Sequence, residues 1–203
     1  MTMSRTSRNE QPRIGPGDAL IVVDLQRDFL PGGALGVPDG DEVIEPLNRA
    51  IEAFEQAGRP VYCSRDWHPP DHCSFKAQGG PWPPHCVAGT AGAAFAPKLR
   101  VPEDATVISK ATTPDRDAYS AFQGTTLAAQ LRAGGIRRVF VGGLATDYCV
   151  KATALDAIKH GFEVELLGEA VRAVEVEPGD GRRALEEMLR QGVHLVTSPP
   201  MSG

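Results

Sequence analysis

Six short apolar runs alternate with amphipathic segments along most of the chain. Several of these runs are continuously apolar instead of alternating with polar residues, which is typical of parallel strands buried on both faces of a sheet. We therefore predict strands at Ala19–Val23, Pro60–Arg65, Thr106–Ser109, Arg138–Gly142, Glu163–Leu167 and Val193–Thr197.

Helical spacing marks most of the segments between these strands. In Asp41–Ala57 the apolar residues recur on one face, and Gly58 follows as a stop signal. The other predicted helices, each of which ends before a glycine, are Thr125–Ala133, Thr146–His160 and Asp180–Gln191. This alternation predicts a Rossmann-like, three-layer α/β/α fold with a six-stranded, mainly parallel sheet and right-handed crossovers.

The length of 203 residues indicates one domain. We place this domain at residues 14–198 and expect a C-terminal tail at residues 199–203. Residues 1–13 are polar and lack the apolar stretch of a signal peptide, so we expect a disordered N-terminal tail. On these grounds we expect a cytoplasmic protein.

The net charge bears on the partners of the chain, and the cysteines bear on its disulfides. The net charge is −5 and there is no basic stripe, which argues against nucleic acid and anionic membrane as partners. Cys63, Cys73, Cys86 and Cys149 are expected to be free thiols in a chain without an export signal. The sequence leaves open a Cys73–Cys86 disulfide, and it leaves open whether the chain forms a homo-oligomer.

A long connection, Trp67–Ala105, separates the second and third predicted strands. Structureless loops longer than ~12–15 residues are uncommon in compact domains and are usually functional. Part of this connection, near Ala91–Leu99, is expected to form a short helix. The rest is rich in proline and glycine, so the connection is a candidate functional loop.

The same loop carries a candidate metal site. Asp66 and His68 are two residues apart, so in extended backbone their side chains point to the same side. His85 can close the site from the far end of the loop. Neutral imidazole with carboxylate suits zinc, iron or manganese, and we expect one divalent ion, zinc before the others. The simpler alternative is that these histidines are surface polar groups.

Reactive residues follow several strands at the edge of the sheet where α/β proteins bind ligands. Asp24, Asp66 and Lys110 each come directly after a predicted strand, and Cys149 lies a few residues beyond the fourth strand. Any one of them alone is compatible with a chain leaving the core. Together, two carboxylates, an ammonium and a thiol indicate an active site.

Cys149 is the candidate nucleophile of this group. If Thr146 or Asp147 caps the following helix, Cys149 lies in its first turn, where the helix dipole favours the thiolate and N–H groups can bind an oxyanion. The alternative is a buried cysteine that packs as a small hydrophobic residue. Cys63, inside the second predicted strand, fits that alternative well.

The motifs that carry these residues resemble the nicotinamidase/pyrazinamidase family, a branch of the isochorismatase-like cysteine hydrolases. The resemblance runs in family order from about Ala19 to His160. Its matching segments are Val22–Phe29, Asp66–Pro69, Trp82–Cys86, Lys110 with Tyr119–Phe122, and Gly143–Val150.

The resemblance implies a role for each matching residue. The catalytic set would be Asp24, Lys110 and Cys149, and a cis peptide before Ala145 would turn its N–H toward an oxyanion hole shared with Cys149. The metal would be held by Asp66, His68 and His85, with His72 as a candidate fourth ligand. The substrate ring would be flanked by Phe29, Trp82 and Tyr119.

The implied activity is hydrolysis of a small aromatic amide, nicotinamide or pyrazinamide, through a thioester, as in NAD salvage. One alternative is an enzyme of the same fold that acts on a carbamoyl, ureido or maleamate substrate. A second is a non-catalytic module in which the metal clips the loop. A third is a metal-dependent hydrolase without a covalent step.

Overall fold

The structure, a computed structural model, describes residues 12–197 and 200–202. Its centre is a six-stranded sheet in the order β4-β3-β2-β5-β6-β7. Every neighbouring pair in that sheet is parallel, so the predicted mainly parallel sheet is entirely parallel. The six strands are β2 Asp18–Val23, β3 Val61–Asp66, β4 Thr106–Lys110, β5 Arg138–Leu144, β6 Glu163–Arg172 and β7 His194–Val196.

A second, two-stranded sheet joins the two ends of the described chain. β1 (Arg13–Ile14) pairs in parallel with β8 (Met201–Ser202). Both strands include residues that were expected to lie in tails, so those residues are paired instead of free. The remainder of the predicted tails, residues 1–11, 199 and 203, lies outside the described residues.

In the described part of the chain, four α-helices connect the strands, and all four were predicted. They are α1 Ile44–Gln56, α2 Leu127–Ala133, α3 Lys151–Lys159 and α4 Asp180–Arg190. Three of them begin later than predicted: α2 begins two residues after Thr125, a 3-10 turn, Gly40–Val43, precedes α1, and a π-helical turn, Thr146–Val150, precedes α3. Further 3-10 turns lie at Arg27–Phe29 and Lys76–Gln78.

The prediction of a short helix near Ala91–Leu99 is wrong. This stretch forms turns, because its backbone pairs with the segment after β2. The N–H groups of Arg27 and Asp28 donate to the carbonyls of Ala94 and Gly92, and the N–H of Ala96 donates to the carbonyl of Leu25. Those interactions replace the helical hydrogen bonds.

Both faces of the sheet are covered, which confirms the three-layer architecture. Every residue of β2 is buried, and its side chains alternate between two separate cores. Leu20 and Val22 pack with α1, whereas Ala19, Ile21 and Val23 pack with α2 and α3. This burial explains why the strand is continuously apolar in the sequence.

The strand order reverses direction at β2, which has β3 on one side and β5 on the other. Such a switch point opens a crevice at the carboxyl ends of the strands, where α/β proteins bind ligands. The loops after β2, β3, β4 and β5 all leave from this edge. No helix in the described part of the chain has the length and apolar character needed to cross a membrane.

Candidate active site

Asp24, Lys110 and Cys149 meet at the carboxyl edge of the sheet, as their positions after three different strands predicted. Lys110 Nζ lies 3.0 Å from Asp24 Oδ2 and 3.6 Å from Cys149 Sγ. The thiol sulfur and one carboxylate oxygen each from Asp24 and Asp66 lie within 4.8 Å of one another. All four side chains are buried. Two carboxylates, an ammonium and a thiol therefore share one small volume.

Lys110 is the centre of charge in this group. Its ammonium donates to Asp66 Oδ1 at 2.5 Å, to the carbonyl of Ala118 at 3.0 Å and to Cys149 Sγ. Burial alone would lower the pKa of Lys110, but the carboxylates of Asp24 and Asp66 raise it well above its ordinary value. The side chain is consequently a permanent cation.

Asp24 has the properties of a base whose proton affinity is increased. Its Oδ1 accepts a hydrogen bond from Ser64 Oγ at 2.6 Å. Its Oδ2 is close to Lys110 but forms no hydrogen bond of good geometry, which leaves a buried oxygen available to a reacting group. Burial raises the pKa of Asp24, and Lys110 and Ser64 only partly offset this effect.

Cys149 differs from its sequence-based description in two ways. Neither Thr146 nor Asp147 caps the turn with its side chain, because Ala145 occupies the N-cap position. The Asp147 carboxylate instead accepts the N–H groups of Val174 and Glu175, at 2.9 and 3.0 Å. Burial raises the pKa of the Cys149 thiol well above its ordinary value, and the cation of Lys110 lowers it only in part. This balance favours the thiol of Cys149, whereas the helix dipole was expected to favour the thiolate.

Ala145 lies beside the nucleophile, as the resemblance implied. The peptide bond between Leu144 and Ala145 is cis. The Ala145 carbonyl accepts the N–H groups of Tyr148 and Val150, which closes the π-helical turn. Ala145 and Cys149 both line the cavity in front of the thiol.

The three predicted metal ligands form a second cluster next to the first. One potential ligand atom each from Asp66, His68 and His85 lies within 4.8 Å of the others, and all three residues are buried. Burial alone would raise the pKa of Asp66, but Lys110 and His68 hold it well below its usual range. Burial lowers the pKa of His85. A carboxylate and a neutral imidazole are the protonation states that a metal requires.

The hydrogen bonds of the two histidines fit a metal as well. The Nδ1 atoms of His68 and His85 lie 3.1 and 2.8 Å from the carbonyls of Ala111 and Pro83, so each Nδ1 donates and each Nε2 carries the lone pair. His68 Nε2 is buried, has no hydrogen-bond partner and lies 3.5 Å from Asp66 Oδ2. An orphaned acceptor facing a carboxylate is explained by a divalent cation between them.

His72, the candidate fourth ligand, lies outside this cluster. Its Nδ1 accepts from Ser74 Oγ at 2.7 Å and from the N–H of Ser74, and its Nε2 donates to the carbonyl of Arg116 at 3.0 Å. Both ring nitrogens are therefore occupied. The ring stacks on that of His68, with centroids 4.2 Å apart. In this arrangement His72 packs against His68, and neither of its ring nitrogens is free to face Asp66.

A cavity of about 500 Å³, including its opening to solvent, joins the two clusters. The three aromatic residues expected to flank a substrate all line it: Phe29, Trp82 and Tyr119. The indole N–H of Trp82 donates to the hydroxyl of Tyr119 at 3.1 Å, which fixes one wall. Phe29 packs against the ring of His85, with centroids 5.7 Å apart. The cavity is thus lined by aromatic rings and also by the thiol of Cys149 and the side chains of Asp66, His68 and His85.

Sequence reasoning missed three residues that complete the site. Ser64 binds Asp24, Gln26 binds both the N–H and the carbonyl of Asp66, and Tyr148 lines the cavity beside Trp82. Two of them, Ser64 and Gln26, could have been found from their spacing. Ser64 lies two residues before Asp66, and Gln26 lies two residues after Asp24.

Comparison with known proteins agrees with this geometry. The isochorismatase domain model matches residues 18–199. The nicotinamidase of Escherichia coli (strain K12) is 40% identical over 203 residues, which covers 90% of this chain and 95% of that protein.

Two solved structures match over nearly their full length. The pyrazinamidase of Pyrococcus horikoshii in complex with zinc has a TM-score of 0.87 and 55% identity, and the match covers 90% of this chain and all of that chain, 100%. A protein from L. infantum in complex with nicotinate has a TM-score of 0.86 and 39% identity, with 95% and 98% covered. The chain therefore belongs to the isochorismatase-domain family and, within it, to the nicotinamidases and pyrazinamidases.

Proposed function

We propose that this chain hydrolyses nicotinamide to nicotinate and ammonia, and pyrazinamide likewise, as a step of NAD salvage. The observation that carries the proposal is the meeting of Asp24, Lys110 and Cys149 beside the cluster of Asp66, His68 and His85. A thiol nucleophile with a base suits acyl transfer, and the aromatic cavity suits a flat heterocycle.

In the first half of the reaction, Asp24 takes the thiol proton as Cys149 Sγ attacks the amide carbon. Burial raises the pKa of both groups, so the carboxylate of Asp24 is a base of increased proton affinity next to a thiol that carries its proton. The N–H groups of Ala145 and Cys149 stabilise the oxyanion, and Lys110 balances the negative charge. Asp24 then protonates the amide nitrogen, the C–N bond breaks, and ammonia leaves a thioester.

In the second half, Asp24 takes a proton from a water molecule whose oxygen attacks the thioester carbon. The C–S bond breaks, nicotinate is released, and the sulfur of Cys149 regains its proton. Lys110 stays charged beside Asp66, whose carboxylate raises its pKa and takes no part in these proton transfers. The same carboxyl group thus serves as base and acid in both halves.

We propose zinc as the resident metal, held by Asp66, His68 and His85. When bound there, the metal positions and polarises the heterocycle or a water molecule next to it. The three protein ligands would leave coordination positions open, which favours a substrate-binding site over a purely structural clip.

We also propose a cytoplasmic location, consistent with thiols that stay unpaired: the structure has free Cys63, Cys73, Cys86 and Cys149.

Ammonia release from a panel of amides tests this function. With zinc present, we expect turnover of nicotinamide and pyrazinamide and little or none of maleamate or ureido compounds. A chelator should abolish turnover, and added zinc should restore it. Full activity after metal removal, or a preference for maleamate, would favour the rival amidase, and a wholly inactive panel would favour a non-catalytic module.

A further inference from the structure

Asp117 is a carboxylate in the wall of the active-site cavity that the mechanism above does not use. It lines the cavity next to Ala118 and Tyr119 and is half-buried, whereas residues 112–116 before it are exposed. Within the described ranges, no lysine or arginine forms an ion pair with Asp117. The other carboxylate that lines the cavity, Asp66, is paired with Lys110.

The backbone around Asp117 holds this carboxylate in place. Its Oδ1 accepts the N–H of Ala118 at 2.9 Å, and the carbonyl of Ala118 accepts the ammonium of Lys110 at 3.0 Å. The side chain is therefore hydrogen-bonded to the N–H of the residue whose carbonyl accepts the ammonium of Lys110. Its charge reaches the wall of the cavity: burial and then Asp117 raise the pKa of Tyr119.

Among the described residues, no side-chain cation is placed to bind a carboxylate of a ligand in the cavity. No lysine or arginine belongs to its lining. Lys110 lies behind the wall and directs its three N–H groups at Asp66, the carbonyl of Ala118 and Cys149. Arg27, although close in sequence to Phe29, is exposed and does not line the cavity.

We infer that Asp117 makes the cavity selective for neutral amides by repelling ligands that carry a carboxylate, including the acid product. This inference rests on the proposed function and adds a residue that sets its substrate class. Specificity of this kind comes from an unfavourable interaction with the wrong ligand as much as from contacts with the right one. A bound metal attracts carboxylates equally in all variants, so its effect cancels in a comparison between them.

The experiment compares two ligands that differ mainly in charge, nicotinamide and nicotinate. Their dissociation constants are measured by calorimetry with the zinc-loaded protein, in a Cys149→Ala background that prevents turnover. Asp117→Asn removes the charge but keeps an oxygen that can accept the N–H of Ala118. Asp115→Asn is the matched control, because it removes an exposed carboxylate two residues away that does not line the cavity.

We expect the parent protein to bind nicotinamide more tightly than nicotinate, and Asp117→Asn to reduce this preference about tenfold, mainly by tightening nicotinate. Asp115→Asn should leave the preference unchanged, and Asp117→Glu, which retains the charge, should restore it. An unchanged preference in Asp117→Asn, or an equal loss in the control, would overturn the inference. So would failure of the parent protein to bind either ligand.

The proposed function is tested separately, by ammonia release from the unmodified enzyme. If Asp117→Asn changes the preference but the unmodified enzyme releases no ammonia, the charge selection stands and the proposed reaction fails. If ammonia is released and the preference does not change, the reaction stands and the role of Asp117 is refuted.

Discussion

Asp66 links the two halves of the site through its two carboxylate oxygens. Oδ1 accepts the ammonium of Lys110 at 2.5 Å, while Oδ2 faces the orphaned Nε2 of His68 at 3.5 Å. Gln26 fixes the backbone of Asp66 through its N–H and its carbonyl. A single buried residue thus sets the distance between the catalytic cation and the metal ligands.

The ligand assignment predicts different outcomes for two neighbouring histidines. His85→Ala removes a ligand atom and should lower the zinc content well below that of the parent protein. His72→Phe should retain the zinc, because it keeps a ring that stacks on His68 and loses only nitrogens that are already hydrogen-bonded. Elemental analysis after dialysis measures both. Loss of zinc from His72→Phe with retention in His85→Ala would reverse the assignment.

The hydrogen bond from Ser64 to Asp24 predicts a change in pH dependence. The hydroxyl stabilises the ionised carboxylate, so Ser64→Ala should raise the pKa of Asp24 further. Because the base must be ionised, the acid limb of the kcat/KM profile should move to higher pH, by about one unit. Ser109→Ala is the control, since that hydroxyl binds Arg65 on the neighbouring strand. A limb that stays in place or moves to lower pH would contradict the role of Asp24.

At the scale of elements, β5 and the π-helical turn after it position the nucleophile. β5 ends at Leu144, and the turn Thr146–Val150 follows directly. In the sequence this turn is continuous with α3, so we predicted one helix from Thr146. The partners of Asp147 lie 27 and 28 residues further along the chain, at Val174 and Glu175, and no local pattern indicates them.

The junction of β5 with β2 predicts an unusually sensitive glycine. Gly143 has a φ of +130°, and a Cβ at this position would lie 2.0 Å from the carbonyl oxygen of Val23. Gly143→Ala should therefore lower the free energy of unfolding by at least about 3 kcal/mol in urea titrations. The matched control is Gly161→Ala, with a φ of +88° but open space around it, which should cost about 1 kcal/mol. Equal losses would show that the close approach to Val23 is unimportant.

At the scale of the whole molecule, the strands and the candidate site were predictable because the signals were local. A strand buried on both faces must be largely apolar, as β2 is from Ala19 to Val23, and a charged residue directly after such a strand must lie at the edge of the sheet. The positions of Asp24 and Lys110 at that edge therefore follow from the pattern of apolar and charged residues. The spacing of Asp66, His68 and His85 likewise predicted their cluster.

The remaining features were not predictable because they depend on distant partners. Residues 91–94 include three alanines, which suit a helix, yet carbonyls of this segment are used by the segment after β2. The protonation of Cys149 depends on burial by the whole fold, which outweighs the local field that its sequence position suggested. The pairing of β1 with β8 joins residues at opposite ends of the described chain.

The most direct test of the central claim is whether Cys149 carries the acyl group during turnover. The zinc-loaded enzyme is mixed rapidly with nicotinamide, quenched in acid, digested and examined by mass spectrometry. We expect one nicotinoyl group on the peptide that contains Cys149. In Cys149→Ala we expect neither this adduct nor ammonia release. Ammonia release by Cys149→Ala at the rate of the parent enzyme would contradict the account.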